Sequence, residues 1–140
     1  MLYKFFTFGA LTIAFIPHIN AQGDCTRIYK VRAGDTCNSI SQAKKVSTFQ
    51  LAFNNPDATA GDCLNLPLGE VLCLGMVNQD CKINTVVNSG DTCSSIAAAK
   101  GIDLDVLEYN NPGICDSLEG GQVLCTDPNS IPYSTVLSSI

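Results

Sequence analysis

Tryptophan, histidine and long apolar runs are scarce or missing in this chain of 140 residues, and each shortage excludes something. There is no tryptophan, and His18 is the single histidine. The longest apolar stretch, Phe5–Ile16, has 12 residues and stops at Pro17, short of the roughly 18 that a bilayer span needs. Basic side chains number 8 against 13 acidic ones. Their longest run is Lys44-Lys45, so the basic patch with interleaved aromatics that marks nucleic-acid binding is absent. Polyanionic ligands and acidic membranes are disfavoured for the same reason. No two cysteines lie closer than eight residues in sequence, which removes the C-x-x-C pairs of zinc knuckles. No metal and no cofactor is expected. An Asn-x-Ser/Thr acceptor is also missing, so N-glycosylation is not expected.

What is present begins with a leader. Lys4, the apolar stretch to Ile16, the breaker Pro17–Asn20 and the small residue Ala21 follow the order of a secretory signal peptide, assigned to residues 1–21. Its removal takes Lys4 and His18 and leaves 7 basic and 13 acidic side chains, a formal charge of −6. A chain without histidine has no imidazole base for a nucleophilic triad. A carboxylate pair for glycoside hydrolysis could still be drawn from the acids. Modules of this size offer no deep cleft, however, and the expectation is a protein that is not an enzyme.

The eight cysteines all follow the leader, at 25, 37, 63, 73 and again at 81, 93, 115, 125. An even number in an exported chain reads as a disulfide framework. The two sets are also copies of one unit. Aligned with one four-residue gap set just before Cys115, Cys25–Cys73 and Cys81–Cys125 agree at 20 of 45 paired positions. Matching runs include Gly34-Asp35-Thr36 with Gly90-Asp91-Thr92, Asn54-Asn55-Pro56 with Asn110-Asn111-Pro112, and Val71-Leu72 with Val123-Leu124. The division expected is a module over 27–74, a linker over 75–82, a second module over 83–126 and a tail over 127–140. Positions where the copies differ, such as Lys45/Gly101 and Gln50/Val106, are expected to be solvated.

Within a module, Ile28–Val31 alternates apolar and polar residues as a half-buried strand does, and Thr85–Val87 takes its place in the second copy. Gly34-Asp35 makes a turn, and Asp35 or Thr36 caps the next helix. Cys37, Ile40 and Ala43 form an apolar helical stripe, repeated by Cys93, Ile96 and Ala99. A second helix starts at Ser47, where Ser47-x-x-Gln50 has the form of a capping box, with Asp103 as the other copy's cap. Asn-Asn-Pro ends it, because proline disfavours helical geometry in the residue before it. A polar loop and a final strand, Glu70–Cys73, complete the order strand, helix, helix, strand. Four cysteines per module allow three connectivities, and sequence alone does not choose among them. Antiparallel pairing of the two strands would favour Cys25–Cys73 with Cys37–Cys63, and Cys81–Cys125 with Cys93–Cys115.

This order, carried by Val31–Thr36, Ile40-Ser41, Asn55-Pro56 and Leu66-x-x-Gly69-Glu70-Val71-Leu72, and again by Val87–Thr92, Ile96-Ala97, Asn111-Pro112 and Leu118-x-x-Gly121-Gln122-Val123-Leu124, resembles the LysM domain. The cysteine positions and small exported format are similar to those of fungal LysM effectors. The resemblance implies an α+β fold of two small disulfide-stapled βααβ LysM modules in tandem, and a ligand of chitin or its N-acetylglucosamine oligomers. It also implies a shallow groove in each module. The first would comprise Gly34, Asp35, Thr36 and Cys37 with Asn55, Pro56, Asp57 and Ala58. The second would comprise Gly90, Asp91, Thr92 and Cys93 with Asn111, Pro112, Gly113 and Ile114. Exposed main-chain amides beside a glycine suit a neutral, acetamide-bearing polymer. The expected role is sequestration of chitin fragments from host receptors or shielding of a fungal wall, with no membrane partner once the leader is removed. Two linked sites allow gripping of one polymer or a ligand-bridged dimer. Peptidoglycan as the ligand, and a disulfide-rich inhibitor or toxin, stand as alternatives.

Overall fold

The computed structural model describes residues 24–59, 63 and 65–133. The expected signal peptide lies outside the described residues, as does the tail beyond Tyr133.

Two strands and two helices build the first module, with one extra helical turn. Strand β1 (Cys25–Lys30) pairs antiparallel with β2 (Val71–Met76), Tyr29 opposite Leu72 and Ile28 opposite Cys73. The strand starts three residues before Ile28, with a register irregularity between Cys25 and Ile28. Gly34 turns the chain at φ 87°, a backbone angle that glycine adopts without steric cost. Thr36 then caps helix α1 (Cys37–Lys44): its hydroxyl accepts from the Ser39 N–H, and the Ser39 hydroxyl accepts from the Thr36 N–H. This reciprocal pair satisfies two donors that the first helical turn leaves free.

The buried stripe of α1 is Cys37, Ile40 and Ser41, whereas Ala43 is exposed. The second copy repeats the correction, burying Ala97 and exposing Ala99. A helix of 3.6 residues per turn returns to one face at i+3 and i+4, so a strict three-residue spacing drifts off the core. Helix α2 (Thr48–Asn54) is capped by Ser47, whose hydroxyl accepts from the Gln50 N–H at 3.1 Å. Only half of the expected box forms, because the Gln50 side chain points elsewhere. After Asn55 the chain starts α3 (Pro56–Thr59) where a polar loop was expected. Proline ends one helix yet suits the first turn of the next, where its missing N–H has no intrahelical partner to lose. Ile40, Val46, Leu51 and Leu72 are at most 2% exposed and form the core.

The second module repeats the plan with β3 (Asn84–Val86), α4 (Cys93–Lys100), α5 (Leu104–Asn110), a 3-10 turn (Ile114–Ser117) and β4 (Val123–Cys125), which pairs antiparallel with β3. Thr92 and Ser95 form the same reciprocal cap. Asp103 occupies the cap position of α5 without a side-chain capping bond. Val87, Ile96, Leu107 and Leu124 fill this core.

Four disulfides close the modules: Cys25–Cys73, Cys37–Cys63, Cys81–Cys125 and Cys93–Cys115. This is the pairing that antiparallel strands favour. Their sequence separations run from 22 to 48 residues, for which chain entropy gives about 3–4 kcal/mol each. Such cross-links supplement cores too small to stabilise the fold alone.

The modules also pack on each other. The Gln42 amide donates to the Gly121 carbonyl at 2.7 Å, the Val123 N–H to the Thr48 hydroxyl at 2.9 Å, and the Asn84 amide to the Lys45 carbonyl at 3.1 Å. Gln50 lies at the centre of this arrangement and corrects the expectation of solvation, because it is fully buried. Its Nε2 donates to the Leu74 carbonyl at 2.7 Å and to Asp80 Oδ1 at 2.8 Å. Its Oε1 accepts from the Cys81 N–H at 2.9 Å and the Tyr133 hydroxyl at 3.3 Å. A side chain that differs between copies here joins them. Asp80, 7% exposed, accepts from Nε and one terminal nitrogen of the Arg27 guanidinium at 2.8 and 2.7 Å and pairs with Lys82. Burial pushes its carboxyl up, but the hydrogen bonds from Arg27, Lys82 and Gln50 together hold it below the ordinary carboxylate value.

Beyond β4 the chain returns to the first module. The Asn110 amide donates to the Asp127 and Asn129 carbonyls at 3.1 and 2.9 Å, and its oxygen accepts from the Ile131 N–H at 2.7 Å. Tyr133 then packs on α2 against Phe49 and Phe53, with ring centroids 5.2 and 5.5 Å away.

Candidate ligand-binding cleft between the modules

Gly34-Asp35-Thr36 is first a turn with a helix cap. The Asp35 carboxylate accepts from the Arg32 N–H at 2.7 Å and the Tyr29 hydroxyl at 2.8 Å. Those two bonds, the main-chain one foremost, hold Asp35 below the ordinary carboxylate value, and the same contact pushes the Tyr29 hydroxyl up. The Lys44 ammonium sits 5.0 Å from the Tyr29 ring centre, within the range of a cation–π contact. In the second copy the Asp91 carboxylate accepts from the Asn88 N–H at 2.8 Å. A Cβ placed on Gly34 or Gly90 would meet nothing within 4 Å. These turns are open surface, and their glycines are required by the backbone angle rather than by crowding.

The asparagines of the second loops have internal work. The Asn55 amide donates to the Leu51 and Cys73 carbonyls, both at 2.8 Å, and its oxygen accepts from the Cys73 N–H at 2.7 Å. Asn111 does the same with Leu107 and Cys125, all at 2.8 Å. Each amide ties the end of a helix to the last strand, and both residues are buried. The residues after them vary: Pro56 and Asp57 are exposed, and Ala58 packs on the first core. Pro112 and Gly113 are exposed, and Ile114 is half-buried against the second core.

One cavity among the described residues draws on both modules. It has a volume of about 610 Å³. The first module supplies Thr36, Cys37, Asn38 and Cys63 at the start of α1 and its disulfide, and Thr48, Phe49 and Ala52 along α2. The second supplies Pro112, Gly113 and Ile114, together with Glu119 and Gln122 before β4. Thr36 and Cys37 of one expected groove thus meet Pro112, Gly113 and Ile114 of the other. Gly90, Asp91, Thr92 and Cys93 do not line this cleft, nor do Gly34, Asp35, Asn55, Pro56, Asp57 and Ala58. A smaller hollow of about 130 Å³ lies within the second module, beside Asn111, Gly113 and Cys115.

The residues that sequence reasoning left out are Asn38, Thr48, Phe49, Ala52, Glu119 and Gln122. They enter because α2 of one module faces β4 of the other. One signal was available: Phe49 stands where the second copy has Asp105, an aromatic side chain that the repeat itself does not require. The cleft walls combine apolar carbon from Phe49, Ala52, Pro112 and Ile114 with hydroxyl and amide groups, and Glu119 is the one charged side chain among them. A surface of this kind suits a neutral, hydroxyl-rich ligand better than an ionic one.

Two βαα(turn)β units, each closed by two disulfides, define a tandem LysM protein. The LysM domain matches residues 29–75 and 85–127, and the chain belongs to that family. A secreted LysM effector, LysM2, of Penicillium expansum is 29% identical over 124 residues, covering 79% of this chain and 36% of that protein. A non-secreted LysM effector, LCP1, of Gibberella moniliformis is 34% identical over 111 residues, covering 75% of this chain and 14% of that protein. The chain therefore spans little more than a third of the first relative and about a seventh of the second. Among solved structures, the LysM domain of Equisetum arvense chitinase A is 46% identical, covering 34% of this chain and 98% of that one, at a TM-score of 0.32.

Proposed function

We propose that this protein is a non-catalytic binder of chitin-type N-acetylglucosamine chains and that its principal site is the cleft between the modules. The observation that carries the reading is the meeting of the Thr36-Cys37 turn of one module with the Pro112–Ile114 loop of the other across about 610 Å³, a volume in the range of roughly 300–1,000 Å³ typical of small-ligand clefts. Apolar walls meet the C–H faces of the sugar. Main-chain and side-chain amides and hydroxyls meet its acetamides and hydroxyls. The remaining turn residues, Gly90–Thr92 in one module and Pro56-Asp57 in the other, lie open for a neighbouring strand of the same polymer, which would raise avidity on insoluble chitin.

Membership of the LysM family and the fungal LysM effectors among its relatives support a carbohydrate partner. Relatives named as secreted effectors, with the leader expected over residues 1–21, support export. Outside the cell such a protein would withhold chitin fragments from host receptors or coat a wall.

Calorimetric titration of the disulfide-intact protein with N-acetylglucosamine oligomers tests the proposal, alongside pull-down on chitin, chitosan and bacterial cell wall. Saturable heats with the oligomers and retention on chitin are expected. Retention on cell wall alone would move the ligand to peptidoglycan, shortened oligomers would make the protein an enzyme, and protease inhibition without any sugar binding would overturn the reading.

A further inference from the structure

Phe49 is the one aromatic side chain among the described residues that line the cleft. It is not part of either module's core: it is absent from the first buried cluster, it is only half-buried, and the second module folds with Asp105 in its place. The ring is nonetheless fixed. Phe53 stacks on it at 5.5 Å and 28°, and Tyr133 meets it at 5.2 Å and 69°. Tyr133 is held in turn by its hydroxyl on Gln50 and by the segment Asp127–Ile131 that Asn110 grips. A strap 78 residues or more downstream of Phe49 (Asp127 onwards) thus supports that ring of the helix. The neighbouring lining residues on the helix, Thr48 and Ala52, are small.

We infer that Phe49 supplies the aromatic contact for the apolar C–H face of a pyranose ring in the cleft, with Tyr133 as its positioning residue. The inference rests on the reading of the cleft as a sugar site and names a specificity-determining residue within it. A pyranose with equatorial hydroxyls presents axial C–H groups on its faces, and the negative face of an aromatic ring attracts them while both surfaces leave water. In a chain without tryptophan this contact falls to phenylalanine or tyrosine. A ring already held by two neighbours loses little freedom on binding, so more of the contact appears as affinity.

The test is titration of the disulfide-intact protein with the N-acetylglucosamine hexamer, joined to saturation-transfer NMR from protein aromatic protons to the sugar. Phe49→Leu keeps apolar bulk and removes the ring. It should bind roughly tenfold more weakly, the equivalent of about 1.4 kcal/mol, and transfer to the sugar ring protons should be lost. Phe49→Tyr should bind within about twofold of the parent. Tyr133→Leu should weaken binding, and Tyr133→Phe should restore it, since the ring and not the hydroxyl supports Phe49. Deuterating only the phenylalanine rings of the unmodified protein should abolish transfer, whereas deuterating only the tyrosine rings should leave it, so the result does not depend on any variant folding. A parent protein that binds the hexamer while Phe49→Leu binds equally well, or while phenylalanine deuteration leaves transfer intact, overturns the inference and spares the sugar-site reading. No binding by the parent overturns that reading first.

Discussion

Replacing Gln50 by valine, the residue the second module carries as Val106, should destabilise this protein although it makes the two copies more alike. The wild-type amide gives the Leu74 carbonyl and the Cys81 N–H their partners, at 2.7 and 2.9 Å, in a site with no exposure. Valine leaves both main-chain groups buried and unpaired, at about 1–3 kcal/mol each. Asp80 loses one bond but keeps Arg27 and Lys82. The expected loss is therefore about 2–6 kcal/mol, a large fraction of the stability of a small domain. Equilibrium unfolding in guanidinium chloride at neutral pH with disulfides intact measures it. Gln50→Glu supplies a second signature, because it sets a carboxylate beside Asp80 Oδ1, which the present amide approaches to 2.8 Å. That variant should be weakest at neutral pH and recover relative to wild type on acidification, as protonation removes the repulsion and restores a donor. A Gln50→Val protein within about 0.5 kcal/mol of wild type, the scale of an ordinary surface substitution, would refute the assignment of Gln50 as the joint between modules and connector.

Three further outcomes are expected. The folded Asp80 carboxyl lies below its ordinary value of 3.8, so its contribution is complete above that pH and is lost as pH falls through the lower folded value; Asp80→Asn should flatten the acid limb of a stability–pH curve, and an unchanged limb would count against the Arg27–Asp80 pairing. Thr36→Ala and Thr92→Ala each remove one half of a reciprocal cap and should each cost about 1 kcal/mol in chemical unfolding, nearly additively because the sites belong to different modules. Asn110→Ala removes three bonds to the strap, so amide exchange over Asp127–Tyr133 should accelerate sharply while β1 and β2 remain protected, a pattern that hydrogen-exchange mass spectrometry resolves.

Most of each module was legible in the chain, because its determinants are local or lie within one copy. The Gly-Asp-Thr turn, the Thr caps, the proline that ends α2 and the strand at Val71-Leu72 all follow from neighbours a few residues apart. The cysteine pairing followed once the strands were taken as antiparallel. Comparison of the two copies worked wherever both play the same part, and failed where they do not. It placed Gln50 in solvent because Val106 differs, and it passed over Phe49 because Asp105 carries no ring. Difference between copies signals solvation only if nothing else touches the position.

The sequence by itself therefore determined the repeat and the βααβ plan, since short-range backbone preferences and periodic burial specify these without reference to the other copy, while the cysteine pairing needed the strands brought together. Only the tertiary structure decided how the copies meet. Thr48 with Val123, Gln50 with Cys81 and Phe49 with Tyr133 are 75, 31 and 84 residues apart, and no local pattern encodes contacts of that range. The cleft has no existence within either module, because each supplies only part of its wall. It forms when buried amides and aromatic rings from distant segments satisfy one another, which is a property of the folded pair.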